Sequence, residues 1–200
     1  GQICVGCDTV MVENSVADPC GLLRSSPLSP VTAGNPKANA GMGPITTPDA
    51  LERIEKLVAD SVASGAKVAF GGKRPEGAEF ASGNWFEPTI LVHASADTAA
   101  VTDEIFGPVL PIVSVKSYEE ALRIANARPD GLSAYLWTQN PSIQMDAVKR
   151  LETGTIFINT GISGAVHGYH NGHKLSGVGG EDGIHGFEGY MQKRTVYLSY

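Results

Sequence analysis

The sequence predicts an α/β fold in which helices flank a mostly parallel sheet. The main observation is a regular alternation of strand and helix patterns between residues 109 and 159. Such alternation is typical of parallel sheets, because each helix carries the chain back to the starting edge. An amphipathic helix pattern over 48–64, followed by a short strand over 67–70, adds to this. The composition is that of a globular protein, with 42% hydrophobic and 18% charged residues.

The first half of the chain contains a strand, an interrupted segment and a clear helix. Residues 8–13 alternate polar and apolar side chains and predict a strand. Prolines and a glycine interrupt 18–36, which predicts an irregular or broken helix, since proline inside a helix costs about 3 kcal/mol. The helix over 48–64 has Thr47 as its cap and Gly65 after its end. Its predicted core-facing stripe is Leu51, Ile54, Leu57, Val58 and Val62.

The second half supplies the remaining strands and helices. Strands are predicted over 89–93, 109–115, 133–138 and 154–159, with helices over 118–127 and 141–151. Ser117 and Glu120 form a capping box for the first of these helices. The second is expected to bury Ile143, Ala147, Val148 and Leu151.

Two features near the end of the chain need a separate interpretation. Ten glycines among residues 161–189 predict a long structured loop instead of a helix. The alternating segment Thr195–Tyr200 predicts a terminal strand. Because an apolar strand at a chain end needs a partner edge, we expect it to pair with another subunit.

Charge and composition exclude several classes of protein. The 200 residues hold 15 basic against 21 acidic side chains, a formal net charge of −6, which argues against a nucleic-acid-binding surface. No run approaches 18 apolar residues, so no membrane span is expected. Three cysteines make no disulfide framework, which favours a reducing, cytoplasmic setting. The chain starts at Gly1, and we expect it to be part of a longer protein.

Cys4 is the first candidate for chemistry. With glycine nearby and no bulky polar residue next to it, Cys4 can act as a nucleophile that a substrate approaches closely, or it can be a small buried thiol. Cys4 and Cys7 also form a C-x-x-C pair. A redox motif would be followed by a helix, and a zinc site would need two more nearby ligands, so the sequence only weakly favours either.

Three further groups in the chain carry possible chemistry. His167, His170 and His173 could hold a metal, but we favour a polar pocket wall or exposed histidines, and no metal is assigned. The glycines over 177–183 only weakly suggest a phosphate-binding loop, since no Lys-Ser/Thr follows them. Glu104–Pro108 places a carboxylate and an aromatic ring before a strand. These could bind a ribose diol and a flat ring, or simply bracket the strand.

Four motifs, taken together, resemble the aldehyde dehydrogenase superfamily. Gly1–Cys4 reads GQIC, Glu104–Val109 reads EIFGPV, Gly154–Asn159 reads GTIFIN and Lys174–Gly183 reads KLSGVGGEDG. They occur in the family's order and extend the resemblance over essentially the whole chain. The last 40 residues are most similar to the lactaldehyde and glycolaldehyde dehydrogenase branch.

The resemblance implies a mechanism and a set of site residues. Cys4 would attack the aldehyde to give a thiohemiacetal, hydride would pass to NAD, with NADP not excluded, and water would hydrolyse the thioester. The Cys4 backbone N–H would donate to the oxyanion, Glu104 would hold the nicotinamide ribose, and Phe106 would pack beside the nicotinamide. Asn159, Thr160 and His170 would contact the substrate. The polar Tyr169-His170-Asn171 sequence implies a small hydroxyaldehyde.

The resemblance also implies that this chain lacks part of the enzyme. In the family, the cofactor-binding domain, the general-base Glu and an oxyanion Asn precede the catalytic cysteine. We therefore expect residues 1–190 to be the catalytic domain and 191–200 an oligomerisation strand of a dimer or tetramer. This chain alone would then be inactive as a dehydrogenase. The alternatives are a non-catalytic remnant that binds another subunit, and a thiol-redox or zinc module.

Overall fold

Two units follow one another along the chain, Gly1–Ala125 and Asn126–Tyr200. The computed structural model describes residues 1–15, 31–38 and 40–200. Most of the predicted irregular helix over 18–36 therefore lies outside the described residues. Among those residues, no helix combines the length and apolar character that a bilayer crossing requires.

The first unit is built around a four-stranded sheet. Its strands are β1 (Val10–Glu13), β2 (Lys67–Phe70), β3 (Thr89–Ala94) and β4 (Val109–Val115). Their order is β1-β4-β3-β2, in which β4 is parallel to both β1 and β3, and β2 is antiparallel at the edge. The apolar residues of β4 are almost all buried, as expected for a central parallel strand. The mostly parallel sheet predicted from the sequence is confirmed in this unit.

Helix α1 (Pro48–Ala63) packs its apolar stripe into the core of this unit. The Thr47 hydroxyl caps it by accepting the Ala50 N–H at 3.2 Å, as predicted. Val62, predicted to face the core, is 44% exposed, so that prediction is wrong. Ser61 is fully buried instead. Its hydroxyl donates to the Leu57 carbonyl and accepts the Ala100 N–H at 3.1 Å. A buried hydroxyl can occupy this position because both its donor and its acceptor are paired.

A second, one-turn helix closes the core of the first unit. This helix, α2 (Ala99–Thr102), was not predicted, because four residues carry too little periodicity. The core beside it is a cluster of buried aliphatic and aromatic side chains that includes Ile54, Phe86, Leu91 and Ile105. Helix α3 (Tyr118–Ala127) spans the end of this unit at Ala125 and has the predicted bounds. The Ser117 hydroxyl accepts the Glu120 N–H at 3.3 Å, and the Glu120 carboxylate accepts the Lys116 N–H.

The second unit contains a small parallel sheet and short antiparallel pairs. Its first elements are β5 (Asp130–Gly131), β6 (Ser133–Leu136), α4 (Pro141–Arg150) and β7 (Thr155–Ile158). Strands β6 and β7 are parallel, as the alternation predicted, and form a two-stranded sheet of their own. In α4, Ala147 is buried, whereas Val148 is 51% exposed, so its predicted burial is wrong.

The glycine-rich segment after β7 is more regular than predicted. It forms β8 (His170–Asn171), β9 (His173–Lys174), β10 (Gly180–Glu181) and the seven-residue helix α5 (Gly183–Gly189). Strand β8 pairs with β10, and β9 with β5. A Cβ at Gly180 would lie 2.4 Å from the His170 carbonyl oxygen, so glycine permits this close backbone approach. The predicted strand Thr195–Tyr200 does not form within the single chain, where these residues are exposed.

Candidate active site

Cys4 lies on an exposed turn at the start of the first unit. The turn is closed by the Gly6 N–H, which donates to the Ile3 carbonyl at 2.9 Å. The residue is exposed and its thiol is free, which contradicts the alternative of a small buried cysteine. Among the described residues, no hydrogen bond occupies the Cys4 backbone N–H. The turn therefore presents a thiol together with an available backbone donor.

Side-chain bonds hold the Cys4 turn in place. The Gln2 side chain donates to the Pro44 carbonyl and accepts both the Thr46 N–H, at 2.9 Å, and the Thr46 hydroxyl, at 2.8 Å. Gly1, which precedes Gln2, lies directly against the Gly107 backbone, where a Cβ would clash. The turn is therefore anchored at its start and lies beside the segment that contains Glu104 and Phe106.

Glu104 and Phe106 lie on a segment next to that of Cys4, and the backbone of Phe106 is unusual. Phe106 has a φ of +47°, a left-handed conformation that a bulky side chain adopts only when its surroundings enforce it. The Glu104 carboxylate is exposed and the Phe106 ring is 38% exposed, while Ile105 between them is buried. Gly107 packs against the Ile54 Cδ1 atom, which leaves no room for a Cβ. Ile105 and Gly107 are packed in place, so they hold the backbone that carries the exposed Glu104 and Phe106 side chains.

Two residues that sequence reasoning missed hold this segment. The Asp8 carboxylate accepts the Ile105 N–H at 3.2 Å. The Arg53 guanidinium donates to the carbonyl oxygens of Glu104 and Ile105, at 2.7 and 2.6 Å. These partners lie 97 and about 50 residues apart in sequence, so no local pattern could have revealed them.

Cys7 is also exposed, but its thiol is held differently. Partial desolvation of its sulfur and the negative charge of Asp8 raise the pKa of the Cys7 thiol, and a hydrogen bond to the Thr9 carbonyl offsets this only in part. A raised pKa reduces the thiolate fraction at neutral pH, which makes Cys7 a poorer nucleophile. Across the described ranges, no three His, Cys, Asp or Glu side chains come together to hold a metal ion. Cys20 lies outside those ranges.

The candidate substrate residues Asn159 and Thr160 follow β7 in the second unit. Asn159 has a φ of +52°. Its amide donates to the Thr138 carbonyl at 2.8 Å and accepts the Thr138 N–H at 2.9 Å. These bonds engage one N–H of the amide and join the ends of β6 and β7. Thr160 is exposed.

His170 lines an open pocket of about 320 Å³ in the second unit. The imidazole is half-buried on β8, and the pocket is also lined by Leu132, Asn171, Ser176 and Glu181. His167 and His173 are both exposed. Glycines 177–183 lead into α5, but this helix has only seven residues and follows two acidic side chains, Glu181 and Asp182. That arrangement disfavours a phosphate site.

The structure brings together the two segments that carry the residues proposed for the nucleophile and for the cofactor. The turn of Cys4 lies next to the segment of Glu104 and Phe106 within the first unit. Asn159, Thr160 and His170 belong to the second unit. The exposed Glu104 carboxylate can accept hydrogen bonds from a ribose diol, and the partly exposed Phe106 ring can pack on a flat ring, so the chemistry of these two side chains is compatible with a nicotinamide nucleotide.

Comparison with known proteins identifies similar sequences and structures. Residues 1–196 match the aldehyde dehydrogenase family. The chain is 37% identical to the 3,6-anhydro-alpha-L-galactose dehydrogenase of Vibrio sp. (strain EJY3), covering all of this chain and 42% of that protein. It is 38% identical to the lactaldehyde dehydrogenase of Escherichia coli (strain K12), over 99% of this chain and 41% of that protein. The chain thus spans about two fifths of the length of these curated relatives.

Solved structures show the same resemblance in three dimensions. A 3,6-anhydro-L-galactose dehydrogenase in complex with NAP superposes with a TM-score of 0.94 at 40% identity, covering 100% of this chain and 42% of that one. The Escherichia coli lactaldehyde dehydrogenase superposes with a TM-score of 0.90 at 38% identity, covering 99% and 41%. At 38–40% identity, the chain resembles these structures in sequence as well as in fold.

Proposed function

Since the chain belongs to the aldehyde dehydrogenase family, we propose that it is the catalytic part of an NAD(P)-dependent enzyme that oxidises a small aldehyde to the carboxylic acid. The observation that carries this proposal is the exposed Cys4 turn, which lies against the segment of Glu104 and Phe106. A nucleophilic thiol and a nicotinamide-binding pair must be neighbours if hydride is to leave the carbon that the thiol has attacked.

In the proposed reaction, Cys4 is the nucleophile. Its thiolate sulfur bonds to the aldehyde carbon, and the carbonyl π electrons move onto oxygen to give a thiohemiacetal oxyanion. The Cys4 backbone N–H, which the described residues leave available, donates to that oxygen. Loss of hydride then leaves a thioester on Cys4. Water adds to the thioester, the C–S bond breaks, and the acid leaves with the thiolate restored.

Glu104 and Phe106 are the proposed cofactor residues. A bound nicotinamide nucleotide supplies the hydride acceptor. The Glu104 carboxylate can accept two hydrogen bonds from the ribose diol, and the Phe106 ring can pack beside the nicotinamide. Both roles are supported by the exposure of these side chains and by the buried anchors at Ile105 and Gly107 between and after them.

The second unit offers the proposed substrate contacts. The second N–H of the Asn159 amide, the Thr160 hydroxyl and the His170 imidazole are polar groups suited to a hydroxyl on the substrate. One relative is named as a lactaldehyde dehydrogenase, and lactaldehyde carries a hydroxyl beside its aldehyde. We propose a small hydroxyaldehyde substrate on this basis. A site that hydrogen-bonds a hydroxyl discriminates strongly against analogues that lack it.

The assembly is proposed to be a cytoplasmic homo-oligomer, a dimer or a tetramer. Residues 1–190 would form the catalytic domain, and 191–200 would pair with another copy. Support comes from the exposed apolar side chains of this last segment, namely Met191, Val196, Tyr197, Leu198 and Tyr200. The free thiols of Cys4 and Cys7 are consistent with a reducing compartment.

The test is aldehyde-dependent NADH or NADPH formation by the protein as its source organism makes it. We expect turnover with lactaldehyde or glycolaldehyde in the wild type and at least a thousandfold loss in Cys4→Ser, the size of loss seen when a catalytic nucleophile is removed. Cys7→Ser is the matched control and should retain activity. Equal rates in Cys4→Ser and wild type would contradict the proposal. Subunit association without any NADH or NADPH formation would support the alternative of a non-catalytic interaction module.

A further inference from the structure

Both hydrogen bonds of the Arg53 guanidinium to described residues go to the backbone of the segment that contains Glu104 and Phe106. The guanidinium donates to the carbonyl oxygens of Glu104 and Ile105 at 2.7 and 2.6 Å. Among the described residues, Arg53 has no carboxylate partner. We propose that Arg53 is a positioning residue that fixes the Glu104 carboxylate and the Phe106 ring for the nicotinamide ribose. This inference rests on the proposed function.

The two carbonyls that Arg53 binds are those that control the direction of Phe106. The Ile105 carbonyl belongs to the rigid peptide plane whose rotation is the φ of Phe106. That φ is +47°, an unfavourable conformation for a bulky residue. The Glu104 carbonyl belongs to the preceding plane, which sets the backbone from which the Glu104 side chain projects. Binding both oxygens therefore holds the backbone that aims both side chains.

Ile54, the residue after Arg53 on α1, also contacts the segment that contains Glu104 and Phe106. Its Cδ1 atom packs against Gly107, where a Cβ would come within 2.4 Å. In addition, the Asp8 carboxylate accepts the Ile105 N–H. The planar fork of a guanidinium is pre-organised to bind two neighbouring carbonyls at once. A lysine ammonium is a single point of charge and would hold the segment less firmly.

The first measurement needs no cofactor and no activity. Hydrogen exchange is followed in the peptide covering residues 103–109 for the wild type, Arg53→Met, Arg53→Lys and Lys56→Met. Lys56 is the matched control, because it lies on the same helix and is exposed, with an ion pair to Asp60. We expect about 10-fold faster exchange at 103–109 in Arg53→Met, the size expected for the loss of a charged hydrogen bond, and a smaller increase in Arg53→Lys. Lys56→Met should match the wild type.

The second measurement separates a positioning role from a merely structural one. In the protein as its source organism makes it, Arg53→Met should raise the Kd for NAD about 10-fold, while the KM for the aldehyde stays within about twofold of wild type. Unchanged exchange at 103–109, an unchanged Kd for NAD, or exchange that rises equally throughout α1 and the sheet would each overturn the inference. A wild-type protein that neither binds NAD nor forms NADH would instead overturn the proposed function.

Discussion

The two units of the chain are held together by different kinds of interaction. In Gly1–Ala125, clusters of buried aliphatic side chains lie between the sheet and its helices. In Asn126–Tyr200, Ala147 and Phe157 are the buried apolar residues among those described. The second unit instead exposes many large apolar side chains, among them Trp137, Val166, Leu175, Phe187 and Tyr190.

In the second unit, where few apolar side chains are buried, polar side chains hydrogen-bonded to the backbone hold the loops in place. The Asn126 amide donates to the Arg150 carbonyl at 2.7 Å and accepts the Glu152 N–H at 3.1 Å. The Lys174 ammonium donates to the Asn126 and Arg128 carbonyls and pairs with Glu152. Such bonds fix single turns in a given geometry, whereas burial stabilises a whole layer at once. The first unit therefore owes its stability to packing, and the second owes the placement of its loops to directional bonds.

The largest expected effect is the loss of packing in the first unit. Ile54 is fully buried and touches both the core and Gly107, so Ile54→Ala should cost about 2–5 kcal/mol of unfolding free energy. Val148→Ala on α4 is the matched change in the second unit. That side chain is 51% exposed, and its loss should change stability by less than about 0.5 kcal/mol. Urea unfolding of both variants measures this, and equal losses would remove the contrast between the units.

A smaller and more local effect is expected in the second unit. Lys174→Met removes the ammonium that binds two carbonyls, which should cost about 1–2 kcal/mol locally. Hydrogen exchange at residues 170–181 should rise about 10-fold, while β3 and β4 stay unchanged. Lys193→Met is the control, because this ammonium pairs with the exposed Glu188. If exchange rises equally in both units, directional bonds are not what distinguishes the second one.

The smallest expected effect concerns a surface ion pair of the first unit. A hydrogen bond from Arg74 lowers the pKa of Glu55 below its ordinary value of 4.5. A carboxyl whose pKa is lowered by folding stabilises the fold above its unfolded pKa, and this is lost as pH falls through the folded pKa. The stability difference between wild type and Glu55→Gln should therefore be present at neutral pH and be lost in acid, as the pH falls through the lowered pKa of Glu55. Urea midpoints between pH 3 and 7, at low and high salt, would show it, with Glu79→Gln as the control.

The sequence predicted those parts of the fold that depend on local pattern. The bounds of α3 and β4 match their predictions, and α1 ends within one residue of its predicted end, because caps and apolar periodicity lie within each segment. Val62 and Val148 were misplaced because the neighbours that bury or expose a helix face lie elsewhere in the chain. For Ser61 the opposite error occurs. A polar residue is expected to be exposed, but the distant Ala100 N–H donates to its hydroxyl and makes its burial favourable.

In the candidate site, too, local motifs could be recognised from the sequence and long-range contacts could not. Cys4, Glu104 and Phe106 could be picked out from motifs, but their roles remain predictions. The left-handed backbone of Phe106 and the two residues that hold it, Arg53 and Asp8, could not be read from the sequence. No residue type signals a bond to a carbonyl about 50 positions away. Long-range contacts of this kind depend on how α1 packs on the sheet.

The bond between Asp8 and Ile105 has a consequence for how the protein is made. Its partners are 97 residues apart, and β1 pairs with β4 over a similar separation. At a synthesis rate of about 5–20 residues per second, the Cys4 turn leaves the ribosome about 5–20 s before the strand that anchors its neighbours. During that interval the turn can bond to Pro44 and Thr46 through Gln2, but the segment of Glu104 and Phe106 is not yet beside it. The proposed reactivity of the Cys4 thiol is therefore acquired late in folding, when the ends of the first unit meet.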